Sequence, residues 1–176
     1  MLKTILTVLV MLLFNITGLG QKGKDAITLS QVRGPHKVKL VFSAGNFDAK
    51  QHKIITVTDP KTLHQGTWID GKYALGMDLI TPKTEIASIR LYFDGKEVPV
   101  RRSVFSDCYN PNLGKDYIWL KFSDDGKSVL AFMAGGDGAG GYQVFWIFRS
   151  DGRHSRFSNM VSDADYPDFV KWFFEQ

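Results

Sequence analysis

The side chains able to perform nucleophilic or acid–base chemistry are few and scattered in this chain. Cys108 is the single cysteine, and the four histidines are His36, His52, His64 and His154. A thiolate nucleophile needs a nearby base or cation, and a zinc site needs ligands at recognisable spacings. The histidines have no such spacing, and none adjoins the cysteine in sequence. We therefore assign no catalytic residue, no metal ligand and no cofactor from the sequence.

Cys108 leaves two interpretations open. An exported domain with one cysteine has no internal disulfide and depends on its hydrophobic core, so the residue is expected to be a small buried side chain. The alternative is a free reactive thiol or an intermolecular bridge, and a reactive thiol would suit an enzyme of unrecognised type that uses Cys108 or an Asp/His pair. Sequence distance neither supports nor excludes a pairing of Cys108 with His154, so burial of the thiol is the observation that decides between the two.

The glycine-rich segment 134–142, AGGDGAGGY, is the candidate binding region. No Gly-Lys-Ser/Thr follows it, and the next element is a predicted strand. The segment therefore matches neither a phosphate-binding P-loop nor a dinucleotide-binding loop, since both lead into a helix. One carboxylate, Asp137, supplies too few oxygens for calcium. The segment is expected to be a long hairpin loop whose glycines adopt unusual backbone angles, or else a rim at which a ligand approaches the backbone closely.

Aromatic side chains extend this candidate surface. Trp119 alternates with apolar neighbours on a predicted strand, and exposed tryptophan on a rigid sheet can bind sugars or proteins. Core packing or cross-strand pairing is the alternative. The candidate binding residues are Gly135, Gly136, Asp137, Gly138, Gly140, Gly141, Tyr142 and Trp119.

The elements that must position these residues are β-strands joined by tight turns. Asp-Gly occurs five times, beginning at positions 70, 94, 125, 137 and 151, and the pair is typical of hairpin turns because glycine accepts positive φ without steric cost. Apolar residues alternate with polar ones in segments 37–42 and 89–93, which predicts half-buried strands. Fifteen aspartates against three glutamates also favour loops and strands over helices.

Two C-terminal segments complete the predicted fold. Segment 142–148, YQVFWIF, is apolar on both faces, which predicts a central strand covered on both sides. Phe169, Trp172 and Phe173 follow Asp165-Tyr166-Pro167-Asp168 with the i, i+3, i+4 spacing of a short helix that docks on the sheet. The predicted class is mainly β: an antiparallel β-sandwich or a curled meander sheet, with a short C-terminal α-helix packed on it.

Residues 1–20 have the pattern of a secretory signal peptide. Lys3 precedes the ten-residue run Ile5–Phe14, which is apolar apart from Thr7, and Gly18 and Gly20 occupy the small-residue positions before a cleavage point. A membrane anchor is the alternative, but a spanning helix needs roughly 20 apolar residues. We expect residues 21–176 to be a single exported β-rich domain, periplasmic or extracellular, with no transmembrane span.

The net charge of that domain excludes one class of partner. Removing Lys3 from the chain's 22 basic residues leaves 21 against 18 acidic ones, an excess too small to indicate nucleic-acid binding. The expected function is a non-enzymatic binding or interaction module of the cell envelope or extracellular space, with a glycan or a protein as its partner. A purely structural envelope component is a further alternative.

Cleavage after Gly20 is directly testable. We expect N-terminal sequencing of the exported protein to begin at Gln21, because the apolar run and small-residue positions match the requirements of signal removal. The same protein made in the cytoplasm without export serves as the uncleaved control. An exported form that still begins at Met1 would contradict the signal-peptide interpretation.

Overall fold

The computed structural model describes residues 26–62, 65–78, 80–136 and 140–160. These residues form eleven β-strands and two short 3-10 helices, Ala49–Gln51 and Arg102–Val104. The strands are β1 (Ala26–Arg33), β2 (His36–Asn46), β3 (Ile54–Thr58), β4 (Gln65–Ile69), β5 (Lys72–Tyr73), β6 (Thr84–Phe93), β7 (Lys96–Val98), β8 (Ile118–Phe122), β9 (Ser128–Gly135), β10 (Tyr142–Arg149) and β11 (His154–Met160).

The strands pair into three antiparallel sheets. The first has the order β1-β2-β6-β7, the second β11-β10-β9-β8 and the third β3-β4-β5. The predicted class, mainly β with antiparallel sheets, is therefore confirmed. The predicted C-terminal helix lies outside the described residues. Within the described ranges, no helix has the length and apolar character needed to cross a membrane.

Alternation of apolar and polar residues forms the first sheet. In β2, Val38, Leu40 and Phe42 are fully buried, while Lys37 and Lys39 on the other face are exposed. This period of two is what a half-buried strand requires. β2 pairs with both β1 and β6, so it is held on its two edges.

Residues from both four-stranded sheets pack into one core. Trp146 of β10 contacts Phe42 of β2 with ring centroids 5.6 Å apart. Its indole Nε1–H donates to the Val104 carbonyl at 3.0 Å, which satisfies the one polar atom of a side chain that is otherwise fully buried. The chain segment after β7 is thereby tied to the core.

Strand β10 is buried on both faces, as its sequence predicts. It lies between β9 and β11. Val144 and Trp146 face the core shared with the first sheet, while Phe145 and Ile147 belong to a separate apolar cluster on the opposite face. The second sheet therefore buries two layers of side chains, in contrast to the first.

Two of the Asp-Gly pairs form two-residue hairpin turns. Asp70-Gly71 joins β4 to β5, and Asp94-Gly95 joins β6 to β7. Their φ angles are positive, 52° and 80° in the first turn and 49° and 81° in the second. Positive φ at both central residues is the requirement of the type I′ turn, whose twist matches that of the flanking strands.

Each of these two turns binds the beginning of a neighbouring strand in the same way. Asp94 Oδ1 accepts the Lys37 N–H at 2.7 Å, and Oδ2 accepts from His36 Nδ1 at 3.0 Å. Asp70 accepts from Lys53 N–H at 2.9 Å and from His52 Nδ1 at 2.7 Å. In both cases the aspartate N–H donates to the carbonyl of the same lysine. We call this arrangement the His-Lys/Asp-Gly clamp.

The clamps predict a specific loss of stability in acid. Hydrogen bonds from Lys53 N–H and His52 lower the pKa of Asp70, and those from His36 and Lys37 N–H lower the pKa of Asp94. Because each folded-state pKa is below its unfolded value, the contribution is complete above the unfolded pKa and is lost as pH falls through the folded one.

We expect the double variant Asp70→Asn, Asp94→Asn to be less stable than the natural chain at about pH 7 and to lose less on acidification to about pH 3. Thermal unfolding at both pH values measures this difference. Asp116→Asn, which changes an exposed carboxylate before β8, is the control. Identical acid sensitivity of the double variant and the natural chain would contradict the argument.

Candidate functional site

A cavity of about 280 Å³ lies where the β4–β5 turn meets the segment that follows β7. Six of its seven lining residues have polar or charged side chains, and they come from three separate stretches of chain. Small-ligand sites place a few convergent polar groups in a concave and mostly apolar surface; here the polar groups converge, and Ile69 is the one apolar residue. The lining residues are His52, Ile69, Asp70, Lys72, Arg102, Ser103 and Ser106.

His52 is held in this cavity by contacts on two sides. Its ring stacks on Phe47 with centroids 4.6 Å apart, and Phe47 in turn meets the edge of Tyr109. The side chain is only 12% exposed. Because the Asp70 carboxylate can only accept, Nδ1 carries the hydrogen of their 2.7 Å bond, and in the neutral imidazole Nε2 is then the acceptor nitrogen.

Lys72 crosses the cavity to the segment after β7. Its ammonium group donates to the Ser103 carbonyl at 2.8 Å and to Ser106 Oγ at 2.9 Å. Both acceptors are neutral oxygens. No carboxylate of the described chain lies within ion-pairing distance of this ammonium group. Among the described residues, Lys72 therefore has no ion-pair partner, although the Asp70 carboxylate lines the same cavity.

Arg102 provides the second cation of the cavity. Its Nη2 donates to Glu85 Oε2 at 3.2 Å, and the arginine side chain is more than half exposed. Glu85 is the more buried partner, at 17% exposure, so the ion pair anchors the 3-10 helix Arg102–Val104 to β6. Exposed pairs of this kind contribute little to stability, and they leave the guanidinium group accessible from the cavity.

The second clamp shows which features of the cavity are special. His36 and Asp94 repeat the contacts of His52 and Asp70, yet His36 is 44% exposed and does not line the cavity. The clamp by itself is thus a means of joining a hairpin to a strand. What distinguishes the first clamp is the burial of His52 and its position beside Lys72.

In the described part of the glycine-rich segment, Gly136 and Gly140 are closely packed against residues 76–78. A Cβ on Gly140 would lie 2.6 Å from the carbonyl carbon of Met77. A Cβ on Gly136, whose φ is +73°, would meet the Gly140 backbone, and one on Gly135 would meet Tyr142. These glycines permit the backbones to approach each other. Gly141 is partly buried, whereas Asp137 and Gly138 lie outside the described residues.

The structure separates the two parts of the predicted binding surface. Tyr142 is 1% exposed and belongs to the core shared by the four-stranded sheets. Trp119 lies on the opposite face of the second sheet, stacked on Phe132 with centroids 5.1 Å apart. Gly135 and Gly136 are brought together with Tyr142, but Trp119 is not. A binding role for these residues stays a prediction.

Cys108 lies in a buried polar cluster rather than in the cavity. It is 1% exposed, which confirms its prediction as a small buried side chain. Arg156 Nη1 donates to Asp107 Oδ1 at 2.6 Å, and Nη2 lies 3.6 Å from Cys108 Sγ. Burial raises the pKa of the Cys108 thiol to about 12, although the Arg156 charge opposes the increase.

This buried cluster has a structural explanation. β11 is an edge strand, and Arg156 projects from it on the same face as its neighbour Trp146. An inward-facing charge on an edge strand disfavours pairing with another chain. The Tyr142 hydroxyl and Arg156 Nε are buried without a hydrogen-bond partner. Burial also raises the pKa of Tyr142, so this phenol is neutral.

The comparisons with known proteins find no relative for this chain. No family model, no curated protein and no solved structure matches it. Across the described ranges, no group of three or more His, Cys, Asp or Glu side chains is arranged to hold a metal ion. Function must therefore be argued from the geometry of the cavity.

The cavity residues were not among those predicted from the sequence, although the sequence contains one signal of the clamps. The pattern His-Lys, followed later by Asp-Gly-Lys, occurs twice, at 36–37 with 94–96 and at 52–53 with 70–72. That recurrence could have indicated the paired clamps. It could not have indicated Ser103 and Ser106, because these residues reach Lys72 only through the tertiary fold.

The reactivity of Cys108 tests its assignment. In the native protein at mildly alkaline pH, we expect a thiol reagent to modify Cys108 only at the slow rate of unfolding, because the thiol is buried and its pKa is about 12. In concentrated guanidinium the same thiol should react at once, which provides the control. Rapid labelling of the folded protein would contradict this assignment and restore the case for a reactive cysteine.

Proposed function

We propose that this protein is an exported binding module that holds a small acidic molecule in the cavity beside Lys72. The observation that carries this proposal is the Lys72 ammonium group, which contacts only the neutral oxygens of Ser103 and Ser106. A carboxylate or phosphate group would supply the missing negative charge. Hydrogen bonds between an ammonium group and such an anion are roughly twice as strong as neutral ones.

The remaining lining favours a sugar-sized ligand. The cavity volume of about 280 Å³ is slightly below the range of drug-sized sites, so the ligand is small. Ser103, Ser106 and His52 offer hydrogen-bonding groups around the cation, while Ile69 adds an apolar surface. A sugar acid combines hydroxyl groups with a carboxylate and would satisfy this set. It also agrees with the glycan partner expected for an exported domain.

The proposal includes the arrangement and location of the domain. The core shared by the β1-β2-β6-β7 and β8–β11 sheets supports a β-sandwich, with the third sheet carrying the β4–β5 side of the cavity. The charge, apolar run and small-residue pattern of residues 1–20 support export. A ligand from the envelope or the extracellular medium would then reach the cavity directly.

The decisive experiment compares two lysines in equivalent positions. Lys72 and Lys96 each follow an Asp-Gly turn, but only Lys72 lines the cavity. Calorimetric titration with glucuronate, inorganic phosphate and uncharged glucose should show binding of at least one of the two anions and not of glucose. Lys72→Met should weaken that binding about 10-fold or more, because the lost charged hydrogen bond is worth about 1.5–3 kcal/mol.

Lys96→Met is the matched control, because it removes the same charge at a corresponding turn outside the cavity. We expect it to leave the affinity unchanged. Equal weakening by both substitutions would mean that the anion responds only to net charge. An anion affinity that Lys72→Met leaves unchanged would contradict the proposed site. No binding of either anion would also contradict it, and both results would favour a protein partner or a structural role.

The Asp/His pair supports one second candidate, an enzyme acting in the same cavity. His52 is oriented by Asp70 through Nδ1, which leaves Nε2 able to act as a base. The ligand recovered after incubation distinguishes the two functions. Unchanged ligand supports a binding module. Chemical conversion that His52→Gln abolishes and His36→Gln preserves would favour the enzyme, since His36 forms the same clamp outside the cavity.

A further inference from the structure

The second sheet carries an apolar surface on the side away from the shared core. Trp119, Phe132 and Phe145 lie in register across β8, β9 and β10. Their rings are in contact, with centroids 5.1 Å apart for Trp119 and Phe132 and 5.0 Å apart for Phe132 and Phe145. Leu130 and Ile147 form the adjacent cross-strand pair. We call these five residues the outer face.

The outer face is buried although it belongs to a single layer of strands. Leu130 is 0% exposed, and Phe132, Phe145 and Ile147 are between 3% and 6% exposed. Among the described residues, the apolar cluster that contains them comes from β8, β9 and β10, with Trp119 and Ala134 at its margin. Side chains on one face of a sheet cannot bury one another so completely, because their ends point away from the strands. A further layer must therefore cover this face.

We propose that the C-terminal segment, residues 161–176, is that layer and docks its aromatic side chains on the outer face. The described chain ends at Met160 on β11, which pairs directly with β10. Sixteen residues follow it. Neighbouring strands are about 4.8 Å apart, so β9 is only about 10 Å from β11, and a segment of this length reaches it easily.

The sequence of this segment matches the surface that it would cover. Phe169, Trp172 and Phe173 recur at i, i+3 and i+4, which places them on one side of a helix. Lys171 lies on the opposite side. Aromatic side chains pack favourably on aromatic side chains in offset or edge-to-face geometry, and the outer face presents such rings across three strands.

A gradient of exposure locates the covering layer. Phe157 of β11 is in register with Phe145, so it continues the same aromatic row. It is 45% exposed, whereas Phe145 and Phe132 are at most 6% exposed. The covering layer therefore lies over β9 and β10 and extends less over β11. A chain that leaves β11 and folds back across the sheet would produce this distribution.

Photo-crosslinking in the full chain tests the proposal. With benzoylphenylalanine in place of Trp172, we expect an intramolecular crosslink to a peptide from β9 or β10, identified by mass spectrometry. The same group at Lys171, on the opposite side of the predicted helix, should give little or none. Mixing light and heavy isotope-labelled chains distinguishes crosslinks within one molecule from those between two copies. Crosslinks to residues 1–25, between copies, or to no part of the second sheet would each overturn the proposal.

Substitutions provide an independent measurement. Trp172→Ala combined with Phe173→Ala should lower Tm by about 10 °C or more and should increase the binding of a dye specific for exposed apolar surface. Lys171→Ala, on the opposite side of the predicted helix, is the matched control and should change neither quantity. An aromatic double variant as stable as the natural chain would refute docking, and if that variant does not fold, the crosslink in the full chain still decides.

Discussion

The His-Lys/Asp-Gly clamp is the interaction on which the arrangement of the strands depends. In each clamp, one aspartate at a positive-φ turn position binds the backbone of a lysine at the start of a neighbouring strand. Asp94 binds the start of β2, and Asp70 binds the residue before β3. A slip of one residue would turn every side chain of a strand to the opposite face. The clamp prevents that slip, since both the carboxylate and the aspartate N–H are matched to one residue. The same contact that sets the register of β3 also presents His52 to the cavity.

Local patterns in the sequence were sufficient for several of the strands and for the β4–β5 and β6–β7 turns. The alternation in segment 37–42 predicts β2, the β-branched run 54–58 coincides with β3, and the apolar character of 142–148 correctly predicts a strand buried on both faces. Each of these signals lies within a few residues. The cavity has no such signal. Lys72 meets Ser103 and Ser106 across more than thirty positions of the chain, and no periodicity connects a lysine with two serines at that distance.

The glycine-rich segment shows a different limit of sequence analysis. Glycine permits both an open, variable loop and a close approach between backbones, and composition alone does not distinguish them. The distinction depends on which other part of the chain the glycines pack against. Here the backbone of Met77 lies where a side chain on Gly140 would be, and the Gly136 N–H donates to the Asn110 carbonyl at 2.9 Å. Asn110 also donates from its side chain to the Gly76 carbonyl. These contacts join the described part of the segment to residues that no local pattern associates with it.

The two four-stranded sheets differ in the face that points away from their shared core. This difference explains why only the second sheet requires an additional layer. The first sheet exposes charged and amphipathic residues: Lys39 lies over the Tyr92 ring at 4.3 Å, and Arg90 pairs with Glu97 at 2.9 Å. Such a face can remain in water, because the long side chains cover apolar surface while their charges stay hydrated. The second sheet has phenylalanine, leucine and isoleucine at the corresponding positions. An antiparallel sheet with both faces apolar cannot be an outer layer in water. The proposed docking of residues 161–176 would therefore link the stability of β9 and β10 to that segment, whereas the cavity, on the β3–β5 side of the molecule, depends on the clamp and on Lys72.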